Sequence, residues 1–208
     1  MKSFDPDPWA TILAGSKADG TAITAKDYAK LHAARDRQKI VQMIHLRFTE
    51  RYLDPALDNS KRHGFSILAT GCLMVEALSS FINGWKNTLG CPGGGAAVFR
   101  GFFQTNSEFS ESVAADFYKH VRCGILHQAE TTVHWRVDRR APLFVEVDGV
   151  RCVSALEFGK KLKIVLDRYT SELASADWKN PLWKKSRKKL RQICRNCGLS
   201  DADVSKLT

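Results

Sequence analysis

The chain is 208 residues long with 44% hydrophobic and 26% charged residues, a balance that suits one folded domain with elaborations and argues against a disordered chain. Its 32 Lys and Arg against 22 Asp and Glu leave a net charge of +10, which favours an anionic partner. Met1 to Pro8 lack the apolar core of a secretory signal, so export is not expected, and the six dispersed cysteines (Cys72, Cys91, Cys123, Cys152, Cys194 and Cys197) read as free thiols.

Residues 1–24 read as a loose leader containing Pro6, Pro8, Gly15 and Gly20. Thr24 with Asp27 three residues on has the pattern of a helix start, and apolar positions Tyr28, Leu31, Ile40, Val41, Ile44, Leu46 and Phe48 predict one long helix from about Ala25 to Tyr52. Pro55 and Asp58-Asn59-Ser60 mark its end. Phe65 to Trp85 approaches membrane-spanning length, but Glu76 lies near its centre and Gly71, Ser79, Ser80 and Asn83 interrupt it. It reads as the central core helix of a bundle, and no membrane is expected as a partner.

Cys91-Pro92-Gly93-Gly94-Gly95 lacks the Gly-Lys-Ser/Thr ending and the preceding strand of a phosphate-binding loop, so it reads as a flexible turn. A short helix should follow over 96–104, bearing Val98, Phe99, Phe102 and Phe103, and another over 110–130. From Thr132 the period changes to two, and Asp148-Gly149 is a strong turn signal. A small antiparallel hairpin or three-stranded meander is therefore expected at about 132–153. Ser154 and Glu157 form a capping-box pattern for a helix carrying Leu156, Phe158, Leu162, Val165, Leu166, Tyr169 and Leu173. Asn180-Pro181 starts a last helix and Gly198 stops it. The fold class is mainly all-α: a bundle of four or more helices with a small β insertion before the last core helix. The expected domains are the leader, a helical domain over 25–175, and a basic helical extension over 176–208.

The densest chemistry lies in Phe117-Tyr118-Lys119-His120-Val121-Arg122-Cys123-Gly124-Ile125-Leu126-His127-Gln128-Ala129-Glu130. On an ideal helix Arg122 and His127 are about 140° apart around the axis and about 7.5 Å apart along it. Arg is long enough to swing back along its own helix, and Gly124 removes a side chain from that path or from the approach of a second helix. A permanent cation beside a titratable base suits phosphodiester chemistry, in which Arg neutralises phosphoryl charge and His moves a proton near neutral pH. Glu76, in an apolar helix, must find a hydrogen-bond donor, be protonated or reach the rim, and a bidentate carboxylate pair that orients Arg122 is the expectation weighed for it. His120, seven residues before His127 and so on nearly the same face, is a candidate supporting or RNA-contacting group, although a solvated surface His is the expectation.

The Arg-x4-His string Arg122 to His127 on a late bundle helix, with the apolar helix around Glu76, resembles the HEPN superfamily (higher eukaryotes and prokaryotes nucleotide-binding domain), in members from bacterial defence and toxin settings. The resemblance covers roughly Ala25 to Ala174. It implies a HEPN-like bundle and a metal-independent endoribonuclease working as a homodimer, with no cofactor and no metal. His127 would transfer the proton of the ribose 2′-hydroxyl, Arg122 would hold the scissile phosphate, and the product would be a 2′,3′-cyclic phosphate. The setting adds a cytoplasmic location and a cognate antitoxin or activator as a partner class. Active members often carry Asn, Asp or His directly after the Arg, where this chain has Cys123. A non-catalytic module that binds RNA or a nucleotide is thus the first alternative, and a helical protein-interaction domain with a structural Arg122 and His127 pair is the second.

Two further motifs stand outside that pair. Lys184, Lys185, Arg187, Lys188, Lys189 and Arg191, beside Trp178 and Trp183, form an acid-free basic run suited to RNA phosphates, with a ring free to stack on a base or to anchor the helix. Cys194 and Cys197 have zinc-knuckle spacing without a second ligand pair, so they read as part of a packing stripe with Trp183, Leu190 and Ile193.

Overall fold

The computed structural model describes residues 6–16, 18–58, 63–89, 91–139 and 141–207. The chain is mainly helical with small sheets and divides into two compact units. One runs up to Glu50 and adds Phe81–Lys86 and everything from Arg168; the other is Arg51–Ser80 with Asn87–Asp167.

In the first unit, residues 8–10 form a 3-10 turn, and strand β1 (Ile12–Ala14) pairs antiparallel with β2 (Ile23–Thr24). Within the stretch read as a loose leader, the 3-10 turn at 8–10 and the two strands are therefore ordered structure, and Leu13 and Ala14 are buried. Helix α1 (Ala25–Ala33) opens with the expected capping box between Thr24 and Asp27. The long helix predicted over 25–52 is interrupted. Arg35 takes a left-handed backbone (φ 51°) and Asp36 accepts from Lys39 N at 3.1 Å, which starts α2 (Arg37–Phe48) afresh. The apolar period survives the break because Tyr28, Ile40, Met43, Ile44 and Phe48 all reach the core.

The chain continues through a π-helical turn at Thr49–Leu53 into the short α3 (Asp54–Leu57). Helix α4 (Gly64–Asn83) is, among the described residues, the one helix long and apolar enough to cross a membrane, and 56% of its most apolar stretch is buried inside the protein. Leu68, Cys72, Met74, Val75 and Leu78 are fully buried, as a core helix requires. Helix α5 (Gly94–Thr105) follows. Next come α6 (Ala114–Asp116), a π-helical segment Phe117–Arg122 and α7 (Cys123–Gln128), wound end to end over 114–128. Phe99, Phe103, Phe109, Phe117 and Phe158 gather in the core of the second unit, with Phe117 stacked on Phe158 at 5.1 Å.

Strands β3 (Trp135–Asp138), β4 (Phe144–Val147) and β5 (Val150–Ser154) form a sheet in the order β3-β5-β4. The β4 and β5 hairpin turns at Asp148-Gly149, both with positive φ, as that dipeptide favours. Against the expectation of an antiparallel meander, β3 lies parallel to β5 on its other edge. Trp135 explains the position: its buried ring sits edge-on to Phe117 at 6.0 Å and to Phe144 at 6.3 Å, while its indole N–H donates to Asp116. Helix α8 (Ala155–Ser175) begins where Ser154 accepts from Glu157 N.

The first unit is completed by the end of α8, by α9 (Pro181–Asn196), capped by Asn180, and by α10 (Asp201–Ser205). Trp183, Ser186, Leu190, Ile193 and Cys194 are the buried stripe of α9, close to the packing expected for this segment. All six cysteines are free thiols.

Candidate functional site

Arg122 closes the π-helical segment in which Phe117 and Val121 are fully buried. Such widened turns re-aim the side chains at their ends and are frequent at functional sites. Arg122 Nε and Nη2 both donate to Glu76 Oε1, at 2.9 and 2.7 Å, so the two polar interruptions of apolar helices do meet. The geometry is not a two-oxygen fork, because Oε2 of Glu76 accepts instead from Thr88 Oγ1 at 2.9 Å. The Arg122 and Glu76 side chains are only 16% and 18% exposed. Burial works against the Arg122 charge, but the hydrogen bonds and charge of Glu76 outweigh it and hold the guanidinium above its ordinary pKa. Tyr118, one turn back, lies with its ring 5.5 Å from Arg122 Cζ. Burial, then the neighbouring Cys123, raises the Tyr118 hydroxyl. Its oxygen sits so close to Gly95 that a Cβ there would fall 2.3 Å away.

The remaining guanidinium nitrogen, Nη1, lies 3.4 Å from Nε2 of His127, which is exposed on α7. Because arginine only donates, this contact requires the Nδ1–H tautomer, leaving the Nε2 lone pair turned toward the cation. A base and a positive donor therefore border one solvent-facing point. Gly124 does not chiefly clear a path for Arg122, as the sequence suggested. A Cβ at Gly124 would fall 2.4 Å from the Glu130 carbonyl, so the glycine admits the returning chain. That return passes through Ala129, Val133 and His134, all with positive φ. For β-branched Val133 this backbone is unfavourable, so strain is concentrated in the loop just after His127.

His120 is buried rather than on the surface as expected. Its Nδ1 lies 2.8 Å from Thr132 Oγ1, its Nε2 3.8 Å from Asp116 Oδ1, and its carbonyl accepts from Thr132 N at 3.0 Å. Asp116 also receives Trp135 Nε1 and Arg151 Nη1. Among the described residues His120 bonds neither Arg122 nor His127; it braces the returning loop. Thr88 and Tyr118 were not singled out in the sequence. The i,i+4 spacing of Tyr118 to Arg122 was a legible signal, whereas the approach of Thr88 is tertiary.

The basic run divides into two sets. Lys184, Lys185 and Lys188 are exposed on α9. The other three turn to the protein: Arg187 stacks on Trp178 at 4.2 Å, Lys189 Nζ donates to the Lys86 carbonyl at 3.0 Å, and Arg191 Nη1 donates to the Leu207 carbonyl at 3.2 Å. Trp183 is fully buried, with Nε1 donating to Ala176 O, so it anchors the helix.

Among the described residues no group of three or more His, Cys, Asp or Glu is placed to hold a metal ion. Comparison with protein-family models, with curated proteins and with solved structures finds no match to this chain.

Proposed function

We propose that this chain is a HEPN-like, metal-independent endoribonuclease of a defence or toxin type, acting in the cytoplasm as a homodimer. The observation that carries the reading is the 3.4 Å approach of Arg122 Nη1 to His127 Nε2, with the guanidinium fixed from behind by Glu76. An RNA phosphate takes its charge stabilisation from Arg122. When RNA enters, Arg122 Nη1 turns from His127 to the phosphate, and the Nε2 lone pair it releases accepts the proton of the adjacent 2′-hydroxyl, whose oxygen attacks phosphorus in line. The bond to the 5′-oxygen breaks, that oxygen takes a proton from solvent, and a 2′,3′-cyclic phosphate and a 5′-hydroxyl remain. DNA lacks the nucleophile.

Lys184, Lys185 and Lys188 supply exposed charge for the RNA backbone. Phe65 and Leu73, 38% and 46% exposed on the helix that carries Glu76, offer an apolar face for a second copy. A second reading, a non-catalytic RNA- or nucleotide-binding module answering to an antitoxin or activator, is favoured by Cys123 beside Arg122. Incubating RNA in EDTA with the parent, Arg122→Ala and His127→Ala separates these readings. Cleavage by the parent alone supports the nuclease. Binding without cleavage supports the module. Neither binding nor cleavage, with Arg122→Ala unstable, leaves a structural pair in an interaction domain.

A further inference from the structure

Among the described residues, three buried side-chain atoms have no hydrogen-bond partner: Tyr28 Oη, His32 Nε2 and Arg187 Nε. All three belong to one neighbourhood of the first unit, and none takes part in the Arg122 and His127 pair. Tyr28 and His32 stand one turn apart on α1, with ring centroids 5.9 Å apart. The His32 ring lies 5.2 Å from Trp178, and the same indole carries the Arg187 guanidinium at 4.2 Å. Tyr28 is 0% exposed and His32 6%. Buried polar groups without partners are rare, and three on neighbouring side chains, two of them against the Trp178 indole, point to one shared partner.

The chemistry of that partner follows from the groups. Arg187 Nε and Tyr28 Oη carry hydrogens, and His32 Nε2 carries one in one of its two neutral tautomers. The charged side chains acting on this cluster are Arg35, Arg187 and Arg191, with no carboxylate among them. A water molecule has two lone pairs and no charge to set against three guanidiniums. An oxyanion accepts from every donor at once and neutralises Arg187, the charge-assisted geometry in which arginine binds best.

We propose that Tyr28, His32 and Arg187 form a binding site for a single phosphoryl group, covered by Trp178. Trp178 sits on the short turn between α8 and α9, where Asp177, Lys179 and Asn180 are exposed. Because the three polar atoms are closed to solvent, the indole must swing aside for entry, which makes it the reporter of binding.

The test titrates the whole protein with sodium phosphate, and separately with sodium chloride at matched ionic strength, following thermal unfolding and tryptophan fluorescence. A saturable rise in Tm is expected in phosphate alone, with a fluorescence change that Trp178→Phe abolishes. Tyr28→Phe keeps the ring packing, so its Tm in chloride should match or exceed the parent's while phosphate binds roughly tenfold more weakly, one lost hydrogen bond converted to affinity. Arg187→Gln should lose the response. Adenosine 5′-monophosphate run in parallel tells a phosphate monoester from free phosphate: tighter binding assigns the former, absent binding the latter. Equal responses to phosphate and chloride overturn the proposal. So does a phosphate response retained by both Tyr28→Phe and Arg187→Gln, which would put the anion on surface lysines.

Discussion

Replacing Glu76 by Ala removes the carboxylate that accepts two hydrogen bonds from Arg122, at 2.7 and 2.9 Å, and one from Thr88. Stranding one partner of a fully buried ion pair costs about 3–5 kcal/mol. With both side chains 16–18% exposed, water recovers part of that, so the expected loss is about 2–3 kcal/mol. Glu76→Gln keeps the shape and one acceptor oxygen but not the charge, and should lose about 1–2 kcal/mol. Released from Glu76, the guanidinium gains rotamers and no longer holds Nη1 beside His127, so any cleavage should fall by about 10- to 100-fold. Urea unfolding at neutral pH, followed by circular dichroism, measures the stability of parent, Glu76→Gln and Glu76→Ala. Labelled RNA measures the rate. A Glu76→Ala protein within about 0.5 kcal/mol of the parent, the range of ordinary surface substitutions, would show that the pair does not stabilise the second unit, and cleavage at the parent's rate would show that it does not position Arg122.

Three other perturbations have defined outcomes. The imidazole of His32, facing Tyr28, Arg35, Arg187 and Arg191, is held down to about 4 by burial first and then by these arginines, against an ordinary 6.5. The unfolded chain thus takes the proton first, and stability present above pH 6.5 is lost as pH falls toward 4, by up to about 3 kcal/mol; urea midpoints against pH should show this, and His32→Gln should flatten the slope. Charge reversal of exposed Lys184, Lys185 and Lys188 should weaken RNA binding and reduce its log–log salt slope by about 2, from roughly 0.7 per phosphate contact; an unchanged slope would assign these lysines to solubility. Gly124→Ala pushes a methyl against the Glu130 carbonyl and should cost about 1–3 kcal/mol, read from thermal unfolding, whereas parent-like stability would mean the returning loop yields freely.

Local chemistry made much of the fold legible. Thr24 with Asp27, Ser154 with Glu157, Asn180 with Pro181 and Asp148-Gly149 each act through neighbours in sequence, and each stands where its pattern indicated. Asp36 was not recognised as a cap because the apolar positions before and after it keep their spacing across the break. The parallel pairing of β3 was hidden for another reason: a run with period two fixes which face is buried, not which edge is met, and it is the packing of Trp135 that selects β5. At the site, Glu76 and Arg122 were legible as two charges in apolar helices that each needed a partner. The burial of His120 was not, because the helix wheel assumed an α-helical turn through Phe117–Arg122, which winds as a π helix. The basic run misled by half, since Arg187, Lys189 and Arg191 find acceptors or a ring that sequence spacing does not reveal.

The most direct test of an Arg122 and His127 nuclease uses an RNA whose cleavage position has first been mapped with the parent protein in EDTA. The same RNA is then made with a single 2′-deoxy nucleotide on the 5′ side of that position. Attack by the 2′-oxygen requires the parent to leave the deoxy position intact while ending the all-ribose RNA in a 2′,3′-cyclic phosphate, with both products absent in Arg122→Ala and His127→Ala. Cleavage at the deoxy position, or cyclic ends that persist in folded His127→Ala, would contradict it.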